Sequence, residues 1–404
     1  MQELRKKVES ELLTNILPFW IKNTIDEEFG GFRGQISDDL TIDAHAAKGI
    51  ILNARILWTF AKAYSYYRND EYLTVAHRAY EYITRCFWDC EFGGVYWMVD
   101  YEGRPLDTKK RIYAQAFTIY ALAEYYHATG IKEALDKADC LVNHIETVGH
   151  DNVYTGYFET YERNWSLALD QRLSEVDMDE KKSMNTHLHM LEAYSGLLHV
   201  HENPTVRMRL RELIEIYLDH IIDPENSHLI LFFDETWHRR SDVISFGHDI
   251  EGSWLLCEAA EILGDQALLA RVHKVAVKMA SAVYEQALDS DGGLVYEADP
   301  NGIIDSDKHW WPQSEAVVGF FNAFQLSGEL RFLDAAERSW SFIDKFIVDH
   351  KHGEWFWMVS KTGEPVEGHD KVGPWKCPYH NSRTCFEVME RVDAKVSNHA
   401  VTSH

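Results

Sequence analysis

The chain repeats one punctuation six times, and this constrains its fold more than any other feature of the sequence. An aspartate closes a helix-like stretch, a turn follows, and a short aromatic-rich segment comes next. The anchors are Asp26, Asp89, Asp151, Asp223, Asp289 and Asp349, at intervals of 60 to 72 residues. The segments after them read GGFRGQI, GGVYWMV, TGYFETY, LILFFDE, GGLVYEA and GEWFWMV, and turn signals such as YEGRP, DPNG and KTGEP predict hairpins there.

Two helix patterns fill each interval. In IKEALDKADCLVNHI, Ile131, Leu135, Ala138, Leu141, Val142 and Ile145 mark one apolar face. Gly130, Gly264 and Gly328 stand where a left-handed helix stop would divide the two helices of a hairpin. One unpaired helix pattern precedes the first anchor, and one follows the last from about Tyr379. If the two pair, six helical hairpins close into a ring, and the expected fold is an all-α, single-domain (α/α)6 barrel over residues 1–404. Short β-hairpins would crowd one rim, and about 393–404 would form a flexible tail. An open solenoid is the alternative.

Polar residues recur in phase on the helix that follows each rim segment. They are Arg55, Tyr113, His189, His248, Glu315 and His380, spaced 58 to 76 residues apart, which predicts similar heights on six inner helices. Glu251 and Trp254 follow His248 at three-residue steps and share its face, so Glu251 is expected to hold the His248 tautomer. Arg55 lies in an apolar pattern and needs a partner if buried, such as Glu315. Trp310, Trp311 and Trp375 fall at loop-to-helix junctions, where indoles can stack on sugar rings or wedge the rim together. His187, two residues from His189, must point elsewhere, so the pair does not predict a metal site.

A net charge of −25 argues against nucleic acid or an anionic membrane as partner, and no apolar run is long enough to span a bilayer. The amino-terminal pattern is amphipathic rather than signal-like, so a cytoplasmic protein is expected. Cys86, Cys90, Cys140, Cys257, Cys377 and Cys385 are scattered and read as packing thiols.

The segments KGIILNARILW, GGVYWMVDYEG, KSMNTHLHMLEAY, SFGHDIEGSWLL, HWWPQSEAVVGFFNAF and GPWKCPYHNSRTCFE resemble, in order and across nearly the whole chain, the cellobiose 2-epimerases of the N-acylglucosamine 2-epimerase superfamily. The resemblance implies metal-free, cofactor-independent inversion at C2 of the reducing-end glucose of β-1,4-linked disaccharides. It assigns catalysis to His248, His380 and His189, and substrate contacts to Arg55, Tyr113, Asn185, Glu251, Trp254, Trp310, Trp311, Glu315 and Trp375. A small disaccharide is the expected partner, with a monomer or weak homodimer as the assembly. An aldose–ketose isomerase, an inverting glycoside hydrolase using Glu251 and Glu315, and a non-catalytic sugar binder remain open from the residues alone.

Overall fold

The computed structural model describes the backbone of residues 1–401 and the side chains of residues 1–394. α1 (Gln2–Glu11) passes through a wide turn at Leu12–Ile16 into α2 (Leu17–Thr24). Then come α3 (Ile50–Tyr67), α4 (Asp70–Tyr82), α5 (Ile112–Thr129), α6 (Lys132–His144), α7 (Met184–Val200) and α8 (Pro204–Ile216). The chain ends with α9 (Phe246–Leu263), α10 (Gln266–Gln286), α11 (Trp310–Ser327), α12 (Leu330–Phe342) and α13 (Tyr379–Val401). The expected tail from 393 is thus helical as far as Val401, and 402–404 lie outside the described residues.

Two kinds of helix build two rings. Every residue from Ile50 to Ala61 of α3 is buried, and a helix apolar on all sides must be enclosed by others. In α12, by contrast, burial is largely confined to Phe332, Ala335, Ala336, Ser339, Trp340 and Phe342, a single stripe. Accordingly α3, α5, α7, α9, α11 and α13 pack each on the next, and α13 returns to α3. Outside them lie α4, α6, α8, α10 and α12, each on its own inner partner, while α1 packs on α13. The first helix completes the last pair, and the (α/α)6 barrel is closed. Gly130, Gly264 and Gly328 end α5, α9 and α11 with φ of 71°, 72° and 75°, as expected.

The rim differs from the expected row of hairpins. Its strands are two to four residues long, and each segment leading into an inner helix pairs with a strand of the following repeat. Lys48–Gly49 pairs with Met98–Val99, Lys110–Arg111 with Thr160–Tyr161, and Lys182–Ser183 with Phe232–Phe233. Ile36 opposite Val372 joins the last repeat to the first, so the rim closes as the helices do. YEGRP and DPNG do form hairpins, whereas KTGEP yields a single bridge, Val359 to Pro365. The strands are short because a helix begins directly after them: Gly49 is already the cap of α3.

The anchoring aspartates form ion pairs as well as turns, and Asp26, Asp89, Asp151 and Asp349 are buried in them. Lys48, Lys110, Lys182 and Lys371 donate to Asp26, Asp89, Asp151 and Asp349 at 2.8, 2.9, 2.8 and 2.6 Å. Lys308 reaches Asp289 and Asp291 at 3.0 and 2.7 Å. In the fourth repeat Ile244 stands in the lysine's place, and Arg239 pairs with Asp223 at 3.0 Å instead. Six cysteines are free thiols, with Cys257, Cys377 and Cys385 buried.

Candidate active site

The fourth residue of four inner helices does scaffold work. Gln115, His187, Asp249 and Gln313 accept the backbone N–H of Val95, Tyr157, Leu229 and Leu294 at 2.8, 2.9, 2.7 and 2.7 Å. His187 therefore ties the rim to α7. Its Nδ1 lies 2.6 Å from the Ser183 carbonyl, and burial pushes its imidazole down to about 3.

The in-phase residues do converge, in two tiers rather than at one height. Tyr113, Trp311 and His380 are the second residues of their helices and His248 the third, whereas Arg55, His189, Glu251 and Glu315 are sixth. The tiers are about one helical turn apart, roughly 5 Å. Arg55 Nη2 donates to the Tyr113 hydroxyl at 3.0 Å, and the Tyr113 ring meets His189 edge-on at 4.9 Å. His248 and His380 both pack on Trp311, at 4.6 and 5.6 Å between centroids.

All three imidazoles are held the same way. Nδ1 of His189 lies 2.9 Å from Glu192, Nδ1 of His380 2.7 Å from Glu315, and Nδ1 of His248 2.8 Å from the Ser245 hydroxyl. A carboxylate partner requires the proton on Nδ1, which leaves the Nε2 lone pair of His189 and His380 available. No hydrogen bond engages Nε2 of any of the three among the described residues. Burial pushes the half-buried His248 down to about 3. Burial and the nearby Arg55 and Arg383 guanidinium groups hold His380 well below the usual imidazole range. Both are uncharged at neutral pH.

Beneath them sits a cluster that the sequence reading missed. Arg383, buried on α13, donates from Nη2 to Glu251 at 2.5 Å and to Glu315 at 2.7 Å, and from Nη1 to Glu192 and the Tyr379 hydroxyl. Burial would raise Glu192, but Arg383 and His189 outweigh it and take it down to about 2. Burial and then the charge of Glu315 push Glu251 up to about 7. Among the described residues, Glu251, Glu315 and His380 are the one group whose ligand atoms come close enough to share a cation, within 4.8 Å. Arg383 already bridges its two carboxylates.

Several expectations change accordingly. Glu251 faces Arg383 and does not hold His248, whose partner is Ser245. Arg55 has no carboxylate partner among the described residues: its other contacts are the Trp375 carbonyl at 3.5 Å, the Cys377 thiol at 3.7 Å and the ring faces of Phe117 and Tyr379. Trp254 is a buried prop, donating to Glu315 at 3.0 Å under the Arg383 guanidinium. Trp310 is buried against His380 and Lys376. Trp311 and Trp375 remain half-buried, and Trp375 continues outward to Trp97 at 5.6 Å. Asn185 is half-buried, and its Oδ1 has no hydrogen-bond partner among the described residues. Glu192 and Arg383 each lie three residues after a site histidine, the same spacing that singled out Glu251.

Known proteins share this architecture and much of its sequence. The N-acylglucosamine 2-epimerase (GlcNAc 2-epimerase) family model matches residues 30–383. A cellobiose 2-epimerase of Bacteroides fragilis is 46% identical over 387 residues, covering 96% of this chain and 98% of that protein. One from Ruminococcus albus is 42% identical over 386 residues, covering 95% and 98%. The solved cellobiose 2-epimerase of Bacillus thermoamylovorans superposes with a TM-score of 0.92 at 39% identity, covering 97% of this chain and all of that one. The chain belongs to the N-acylglucosamine 2-epimerase family, within its cellobiose 2-epimerase branch, and is an enzyme of the isomerase class.

Proposed function

We propose that this enzyme inverts C2 of the reducing-end glucose of a β-1,4-linked disaccharide, turning cellobiose into glucosyl-mannose and lactose into epilactose. The observation that carries the reading is the shared setting of His189, His248 and His380: Nδ1 anchored, Nε2 without a partner among the described residues, two of the three uncharged.

The C2 hydrogen of a closed pyranose is not acidic, so the ring opens first, moving a proton from O1 to O5. The exposed aldehyde then acidifies C2. Nε2 of one imidazole takes the C2 proton, and the electron pair passes through C1 onto O1 to give a cis-enediolate. The second imidazole takes a proton from solvent at Nε2, a form that the negative charge on the enediolate oxygens favours, and gives it to the opposite face of C2, while the first imidazole returns its proton to solvent. The two exchange roles in the reverse direction. Arg55, a buried cation with no carboxylate partner among the described residues, donates hydrogen bonds to the oxygens that gain charge, and His189 accepts one at Nε2 from a sugar hydroxyl. Trp311 and Trp375 offer half-open indole faces to the sugar rings.

The test is NMR of cellobiose and lactose incubated with enzyme in deuterated water. Deuterium at C2 of both epimers is expected, with H248A and H380A each lowering kcat by more than about 100-fold. A ketose as sole product, or release of monosaccharide, would replace this reading with an isomerase or a hydrolase.

A further inference from the structure

We infer that Arg383 is a positioning residue of the reaction: one guanidinium fork sets the orientation and tautomer of two site histidines by holding the carboxylate behind each. The inference builds on the proposed C2 proton exchange and adds to it a residue that stands behind the reacting groups.

The geometry is specific. Nη1 of Arg383 donates to Oε1 of Glu192, whose Oε2 lies 2.9 Å from Nδ1 of His189. Nη2 donates at 2.7 Å to Oε1 of Glu315, the same oxygen that lies 2.7 Å from Nδ1 of His380. Two relays, Arg383–Glu192–His189 and Arg383–Glu315–His380, thus start from one planar group and end on helices α7 and α13. A fixed five-donor fork can hold two carboxylates at once, which a flexible ammonium does less well. The guanidinium is itself locked, with its carbon 4.8 Å from the Trp254 ring and 4.4 Å from the Tyr379 ring.

Plain structural ion pairing does not need this arrangement. Three carboxylates from three inner helices converge on one buried cation, whereas the rim lysines meet aspartates within their own repeat. Each carboxylate with a histidine behind it fixes the proton on Nδ1 and leaves Nε2 as the base. Arg383 also acts on His380 together with Arg55, His189 and His248, while Glu315 and Glu251 lie 2.7 and 3.9 Å from its Nδ1, so losing the Arg383 charge changes how readily His380 takes a proton.

The experiment compares the wild-type enzyme with R383K and R383M, using selectively 15N-labelled histidine. In the wild type, the nitrogen shifts of His189 and His380 should report protonated Nδ1, a readout independent of turnover. R383M should lose that uniform tautomer and drop kcat for cellobiose by about 100-fold, with KM changing less. The acid limb of its kcat/KM profile should move to higher pH, because a positive neighbour that disfavoured protonation is gone. R383K keeps a cation but not the fork, and should keep the acid limb near its wild-type position while losing about 10-fold or more in kcat. Wild-type kcat and wild-type histidine shifts in a folded R383M would overturn the inference. Should R383M fail to fold, wild-type kcat and shifts in R383K overturn it instead. If the wild type exchanges no C2 hydrogen, the proposed reaction fails, while the nitrogen shifts still decide whether Arg383 sets the tautomers.

Discussion

At the rim, Lys48, Lys110, Lys182 and Lys371 each meet an aspartate of their own repeat, 21 to 31 residues away in sequence. At the axis, Arg383 alone serves Glu315, Glu251 and Glu192, which lie 68, 132 and 191 residues away. Both sets are buried. The rim solves the cost of burying charge locally, each lysine on an aspartate of its own repeat, and repeats the solution around the ring. The axis concentrates charge from four inner helices on one point, and its members do not repeat. What recurs is scaffold, and what breaks the repeat surrounds the imidazoles.

That contrast can be broken residue by residue. The largest effect is expected from the pair His189 and His187, two positions apart. H189A should lower kcat by about 100-fold or more while leaving unfolding nearly unchanged. H187A should do the reverse, leaving kcat near wild type and costing about 1–3 kcal/mol, because the Tyr157 N–H loses its acceptor. Steady-state kinetics and urea unfolding on the same samples check both.

K182M tests the rim. Lys182 is fully buried with Asp151, so removing it strands a buried carboxylate and should cost about 3–5 kcal/mol. Catalytic constants per folded molecule should hold, and a large fall in kcat at constant folded fraction would erase the division between rim and axis.

E315Q tests the axis more gently. Its amide oxygen still accepts from His380 and Arg383, but its N–H2 then stands where Trp254 now donates. A fall in kcat of about 10- to 100-fold is expected, with stability less affected than in K182M.

The smallest effect concerns pH. Glu159 is buried under the Ser183 N–H and the Thr186 hydroxyl, and burial pushes it up to about 8. The folded state therefore binds the extra proton, and this contribution is complete below the unfolded carboxylate range, then lost as pH rises towards 8. E159Q removes the titration, so its stability relative to wild type should improve between pH 5 and pH 8 by more than about 1 kcal/mol. Urea midpoints across that range measure it. An unchanged difference would place the Glu159 proton elsewhere.

Much of this was legible because it is local or periodic. Gly130, Gly264 and Gly328 end helices where a left-handed stop was expected, and the unpaired first and last helices pointed to ring closure. His187 was rightly separated from His189 by helix geometry alone. The rim pairing was not legible, because two-residue strands carry no alternation from which to read a partner in another repeat. Neither was Arg383, although Glu192, Glu251 and Arg383 each follow a site histidine by three residues.

The sequence by itself determined the number of hairpins, which helix of each faces inward, and which six polar residues share a phase. Periodicity encodes these, since helix spacing fixes the face of every residue along one element. Only the tertiary structure decided who holds whom: Glu251 on Arg383 and not on His248, Arg55 on Tyr113 and not on Glu315, Trp254 and Trp310 as buried props. Those contacts cross the barrel axis. They depend on the height and rotation at which six separate helices arrive, and loops of unequal length set both.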